Sequence, residues 1–418
     1  MRLPMKQETA LFVSSLLQEL AAFGDDGNGG VTRLLYTPEW RNAQLFLAKK
    51  MEEQGLNTRF DRVGNLYGAL QGTNRSGKAV LTGSHIDTVV SGGRYDGAYG
   101  IAAGLAALVY LKETYGDPLY TLELVSFCEE EGSRFPLAYW GSGNVTGLYE
   151  IGKADRIFDN SGVSLEAAML GAGFGKPEQP ESLRADIAAF VELHIEQGPV
   201  LERQRKRVGI VDAIVGQHRY AVTVHGEANH AGTTPMNMRK DALIGVSEMI
   251  LQLEADALAA GEPLVATVGR IDCAPNTPNV VPGSVGFTVD IRHTDDRILS
   301  QFSESVLAKF KEIAIWRELD IQISPWLDTK SAPMNSQLID RLEHISADLS
   351  LASRTIPSGA GHDAQLLTAV CPTAMLFVPS RAGISHSALE YTSAEELADG
   401  VSVLAALLYE LAYEGKLP

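Results

Sequence analysis

Five short segments carry side chains whose types and spacing could do metal chemistry. The first is Gly83-Ser84-His85-Ile86-Asp87-Thr88. A neutral imidazole is a good ligand for a borderline dication, and a carboxylate two residues on can hold the ring's second N–H. Taken alone, His-x-Asp is common, and a capped turn with an incidental histidine explains it as well. The second is Gly92-Gly93-Arg94-Tyr95-Asp96-Gly97. An aspartate there is often only a helix N-cap, but two carboxylate oxygens can also bridge two cations. The third, Glu129-Glu130-Glu131, reads in isolation as a solvated acidic run. It stands, however, at the tip of an apolar strand, where neighbouring carboxylates near a dication can divide ligation from proton transfer. The fourth is Glu192-Leu193-His194-Ile195-Glu196, where period two puts 192, 194 and 196 on one strand face. The fifth is Gly383-Ile384-Ser385-His386-Ser387, a polar loop after another strand. His85, Asp96, Glu131, His194 and His386 together form two histidine–carboxylate sets sharing one aspartate. That suits a pair of zinc-like dications, each with an open position, although spacing alone does not establish it.

Such residues need elements to hold them. Helices are expected at 5–22, 39–54 and 97–115, and strands at 66–70, 79–83 and 122–127. Strands alternating with helices predict an α/β layer with a largely parallel sheet, whose ligands belong at the strands' carboxyl ends. The middle of the chain changes character. A strand at 220–225, a helix at 238–258, strands at 264–271 and 285–291, a helix at 296–316 and a strand at 320–323 give the ferredoxin-like order βαββαβ. A strand at 374–378 and a helix at 394–413 return to α/β character. The expected organisation is one α/β domain in two pieces, 1–212 and 329–418, with a small domain, 213–328, inserted between them.

Composition narrows the function. The 418 residues include 35 Lys and Arg against 52 Asp and Glu, a net charge of −17. So acidic a surface argues against nucleic-acid and membrane-surface partners. Cys128, Cys273 and Cys371 are odd in number and far apart, which argues against a disulfide scaffold or a cysteine zinc site. No targeting or membrane-spanning segment is apparent, so a cytoplasmic protein is expected.

The run GSHIDTVVSGGRYDG, then EEEGSRF, VELHIEQG, HAGTTPM, PNTPNVVPG, DIRHT, SGAGHDA and GISH, in that order, resembles the M20-type metallohydrolases of the hydantoinase/carbamoylase branch. The resemblance spans essentially the whole chain and implies a metal-binding α/β catalytic domain with an inserted lid and dimerisation domain, hence a homodimer. It implies two divalent metal ions, Zn or Mn, one held by His85, Asp96 and His194 and the other by Asp96, Glu131 and His386. Glu130 matches the family's general base, Asp87 the residue orienting the first histidine, and His230 the histidine stabilising the oxyanion. Asn279 and Arg292 match substrate-holding positions; Gln197, Gln217 and the backbone at Gly361 are further candidates. The implied reaction is hydrolysis of a ureido group on a small substrate bearing a carboxylate. Allantoate is the first expected substrate, with ureidoglycine, ammonia and carbon dioxide as products. N-carbamoyl-L-amino acids, or a β-ureidopropionase-like substrate, are the alternative. A non-catalytic binding protein on the same fold would be expected to lack Glu130 or a ligand, and this chain lacks neither.

Overall fold

The computed structural model describes residues 6–74 and 76–418; the first residue of the helix expected at 5–22 lies outside them. The chain divides into two compact units. One comprises the described residues up to 212 together with 334–418, the other residues 213–333. Ahead of the insert come β1 (Asn57–Phe60), β2 (Leu66–Leu70), β3 (Ala79–His85), β4 (Thr121–Phe127), β5 (Ile187–Ile195) and β6 (Val208–Ile214). Within it come β7 (Gly216–His225), β8 (Asn229–His230), β9 (Val265–Thr267), β10 (Ile271–Ala274), β11 (Val280–Val281), β12 (Ser284–His293) and β13 (Asp320–Thr329). β14 (Ala332–Pro333), β15 (Ser353–Ser358) and β16 (Thr373–Val378) follow.

In the first unit the strands lie in the order β1-β2-β4-β3-β5-β16-β6-β14, with β15 on β6. The central neighbours β4, β3, β5 and β16 are mutually parallel; β2 and β6 flank them antiparallel, and β1 pairs antiparallel with β2 at the edge. β3 and β16 are buried at every residue, the near-continuous apolar run of parallel strands covered on both faces. Helix Ala98–Tyr115 packs against this sheet closely enough to require glycine. A Cβ on Gly100 would come 2.5 Å from the Leu193 carbonyl oxygen, and one on Gly104 2.5 Å from Leu124 Cδ1. Parallel strands end on one rim. β3 ends at His85, β4 leads into Cys128 and the three glutamates, β5 ends one residue after His194, and β16 leads into the loop bearing His386.

The second unit is an antiparallel sheet, β10-β12-β7-β13 with β9 also on β12, plus the β8–β11 ribbon. Helices Ala242–Ala260 and Asp296–Trp316 share its apolar core through Val246, Met249, Leu299, Val306 and Phe310. The order is βαββαβ with one irregularity. The strand expected at 264–271 is broken into β9, which pairs with Asp290–Arg292, and β10, which pairs with Ser284–Phe287. Gly269 lies in the break, as glycine commonly does at edge-strand bulges. β13 continues to Thr329 and the unit extends to Pro333, beyond the boundary expected at 328. No helix among the described residues is long and apolar enough to cross a membrane.

Candidate metal centre

The rim brings the five candidate ligands together. His85, Asp96 and His194 form one group and Asp96, Glu131 and His386 a second, with each group's ligand atoms within 4.8 Å of one another. His85 Nε2 lies 3.6 Å and His194 Nε2 3.1 Å from Asp96 Oδ1. His386 Nε2 lies 3.3 Å from Asp96 Oδ2 and 3.5 Å from Glu131 Oε2. Asp96 thus turns one oxygen to each group. Each strand-borne imidazole is oriented from behind by backbone: His85 Nδ1 is 2.9 Å from the Asp87 carbonyl oxygen and His194 Nδ1 2.9 Å from that of Ile195. Gly97, at φ +60°, leaves room for the first ring, since a Cβ there would come 2.4 Å from His85 Nε2.

Two sequence expectations are refined by these contacts. The Asp87 carboxylate stands 3.8 Å from His85 Nδ1, so the hydrogen bond that orients the ring is to the Asp87 carbonyl. The carboxylate instead accepts the Glu131 N–H at 3.1 Å, tying the β3 loop to the glutamate loop. Glu196 falls just past β5 and accepts from the N–H groups of Val200 and Leu201, so it caps a short turn of helix and does not share the face of His194.

The glutamate run separates into three environments. Glu129, at φ +54°, accepts from the N–H groups of Arg134 and Phe135 and shapes its own loop. Glu131 joins the second group. Glu130 is buried with Oε2 3.7 Å from His85 Nε2. Burial, reinforced by the charges of Glu131, Asp363, Asp96 and Asp87, pushes its carboxyl well above the usual glutamate range. Tyr139, Gln197 and His386 share Glu129's positive φ. Such conformations cost energy in a non-glycine residue and gather at functional sites.

These residues fit a pair of cations. Asp87, Asp96, Glu130 and Glu131 are packed together out of water, an arrangement that demands compensating positive charge. Glu131 Oε1 and Asp87 Oδ1 are buried without a hydrogen-bond partner among the described residues. Burial, then Asp96, pushes Glu131 up to about 8. Burial opposes charge on His194, yet its bond to Asp96 prevails and raises it to about 9; the same partner raises His386 to about 9. A dication binds these ligands only in their deprotonated form, so it competes with protons for them.

Gln197, a candidate for substrate contact, donates from Nε2 to Asp96 Oδ2 at 2.9 Å. Gly361 packs on Tyr139, whose hydroxyl oxygen would sit 1.9 Å from a Cβ there. The other candidates fall in the second unit as two cross-strand neighbourhoods. His230 on β8 pairs with Val280, and the Asn279 carbonyl accepts the Ala231 N–H at 3.0 Å. Gln217 on β7 faces Arg292 on β12. The Arg292 guanidinium makes a two-point contact with Asp290, at 2.8 and 2.9 Å.

Two residues escaped the reading of sequence roles. Tyr139 is half-buried, and desolvation of its hydroxyl, followed by the charges of Glu130 and Asp363, raises it well above the usual range. Arg33 is fully buried and donates to the carbonyls of Ile86 at 2.7 Å and Leu20 at 2.8 Å, behind Asp87. Burial lowers its guanidinium to about 10 against the pull of Asp87. An arginine followed directly by Leu34 and Leu35 was a signal for Arg33; nothing local marked Tyr139.

The peptidase family M20/M25/M40 matches residues 81–410. The chain is 48% identical to "Allantoate amidohydrolase" of Bacillus subtilis (strain 168), over 96% of this chain and 97% of that protein. It is 35% identical to "N-carbamoyl-L-amino-acid amidohydrolase" of Paenarthrobacter aurescens, over 94% and 96%. Among solved structures, an amidase of the hydantoinase/carbamoylase family from Burkholderia multivorans superposes with a TM-score of 0.92 at 33% identity, covering 96% of this chain and 97% of that one.

Proposed function

The chain belongs to the peptidase family M20/M25/M40, and on that premise we propose that it is a binuclear-metal hydrolase of a ureido C–N bond, with allantoate as substrate. The observation that carries this reading is a shared carboxylate, Asp96, between two ligand groups beside the buried Glu130. The 48% identity to an allantoate amidohydrolase supports the choice of substrate. When bound, two divalent cations, zinc or manganese, supply Lewis acidity, polarising the ureido carbonyl and lowering the pKa of the attacking water.

The chain's own residues do the rest. Glu130, with its raised affinity for protons, accepts one from the water and returns it to the nitrogen that leaves the carbonyl carbon. The C–N bond breaks, and the released carbamate falls apart to carbon dioxide and ammonia, leaving ureidoglycine. Asp87 holds the backbone of Glu131 and of the His85 loop. His230 donates to the developing oxyanion, a contribution of roughly 3 kcal/mol where one such donor is lost. Arg292 offers a planar fork suited to the substrate carboxylate, exchanging Asp290 for it. Asn279, Gln217, Gln197 and the backbone at Gly361 make the remaining polar contacts.

A homodimer belongs to the same reading. Helix Ala242–Ala260 turns Val246, Met249 and Leu253 into its own core while leaving Ile244, Leu251 and Leu258 exposed at seven-residue intervals. Such an apolar stripe suits a second copy of the helix. The test of function is ammonia release over a panel of ureido compounds by protein stripped and reloaded with each metal. Allantoate is expected to give the highest kcat/KM. Preference for an N-carbamoyl-L-amino acid would move the chain to the activity of its 35% identical relative. Glu130→Gln is expected to cut the rate by ~10²–10⁴ while still holding metal; full activity in that variant would refute the assignment of the base.

A further inference from the structure

Asp96 and His386 stand far apart in sequence, yet their 3.3 Å contact is made by two loops that share no strand pairing. One side chain joins those loops from behind. Glu390 is buried, with 4% exposure. Its Oε1 accepts the backbone N–H of Tyr95 at 2.9 Å and of Asp96 at 3.0 Å. Its Oε2 accepts the hydroxyl of Ser385, the neighbour of His386, at 2.8 Å. The fit depends on Gly93, where a Cβ would come 2.0 Å from Glu390 Oε1. The adjoining aromatic rings of Tyr95 and Tyr391 meet edge to face at 6.2 Å, so the same two loops touch again one residue along.

His386 needs such bracing more than the other imidazoles. His85 and His194 sit at strand ends and are oriented by backbone carbonyls. His386 lies in a loop at φ +53°, and its side chain is 51% exposed. Its ring contacts are Asp96 and Glu131, the partners it would share with a cation. Without support, the loop could carry His386 away, and the second group would lose a ligand while the first kept all of its own.

We propose that Glu390 is a positioning residue for the Asp96–Glu131–His386 cation site: it fixes the backbone of the shared aspartate and the residue beside His386 as one unit. The inference rests on the reading of the rim as a two-cation centre. Removing a group that orients a ligand typically lowers metal affinity by about 10–100-fold, and here the larger loss falls on the site of His386, because Asp96 keeps a second anchor in the 2.9 Å hydrogen bond from Gln197 Nε2.

The test is calorimetric titration of chelator-stripped protein with Mn²⁺, read alongside the melting temperature of the stripped protein. Wild type is expected to bind two ions. In Glu390→Ala the ion held by His386 weakens by about 10–100-fold, while the ion held by His85 and His194 changes far less. Glu390→Gln keeps an oxygen for the two N–H groups and recovers most of the lost affinity. Gly93→Ala forces the carboxylate aside without altering it, so it reproduces the selective loss even if Glu390→Ala fails to fold. Wild-type affinities at both sites in Glu390→Ala or in Gly93→Ala would overturn the proposal. So would equal loss at both sites with a lowered melting temperature, which marks a general structural role. Wild type that binds no Mn²⁺ would instead remove the two-cation reading on which the inference stands.

Discussion

Asp96 has one oxygen facing His85 and His194 and the other facing His386. An amide in its place offers one weak neutral acceptor and one donor, and a donor repels a cation. Asp96→Asn is therefore expected to weaken both ions together, whereas His386→Ala weakens only one; titration of stripped protein separates the cases. Individual residues also show where types alone mislead. Three consecutive glutamates have identical chemistry, yet one accepts loop N–H groups, one is buried beside His85 and one lies against His386. Asp87 stands two residues from His85, as a side-chain orienter would, but the chain turns so that its carbonyl meets the ring and its carboxylate meets Glu131.

Four parallel strands deliver their last residues to one rim, and the helix after Gly97 closes over it. Gly97 is a tight point of that junction, 2.4 Å from His85 Nε2 to a Cβ placed there. An alanine there adds strain at φ +60° and a methyl against the His85 ring. Backbone strain of this kind costs roughly 1–3 kcal/mol. Gly97→Ala should show that loss in urea unfolding, together with weaker binding at the His85 site. In the second unit, helix Ala242–Ala260 carries the exposed stripe of Ile244, Leu251 and Leu258. Leu251, 65% exposed, contributes nothing to the unit's own core. On the proposed homodimer reading, wild type sediments as a dimer in analytical ultracentrifugation, and Leu251→Asp is expected to sediment as a monomer with the melting temperature of its fold unchanged. A variant that stays dimeric would place the interface elsewhere.

Across the whole molecule, the buried acidic cluster makes stability depend on pH and on metal. In the cation-free protein Glu129 and Glu131 are raised from 4.5 to about 8, chiefly by burial. A carboxyl whose folded pKa exceeds its unfolded one favours folding while protonated. Its contribution is complete below the unfolded pKa and is lost as pH climbs toward the folded one. His194 and His386, raised to about 9, act in the same direction, since their protonated forms are favoured by folding. Stripped protein should therefore lose melting temperature between about pH 5 and pH 9. Cations need those ligands deprotonated, so the stabilisation they confer should grow over the same interval. At a free concentration 100 times the Kd it amounts to ~2.7 kcal/mol per ion. A scan of melting temperature against pH, with and without Mn²⁺, checks both slopes; parallel curves would contradict the account.

Local residue types and their order determined which side chains could bind metal, the alternation of strands and helices, and the βαββαβ character of the insert, because hydrophobic periodicity and ligand chemistry are properties of short segments. The tertiary structure alone decided that β4, β3, β5 and β16 are neighbours in that order, which brings the five expected ligands within reach of one another. It alone decided that an unremarked Glu390 reaches back to Tyr95 and Asp96. It also decided that Gly269 breaks an edge strand which, by composition, reads as continuous. Contacts between residues hundreds of positions apart leave no periodic trace along the chain; they follow from how the apolar faces of whole elements pack, and only that packing sets the distances on which a metal site depends.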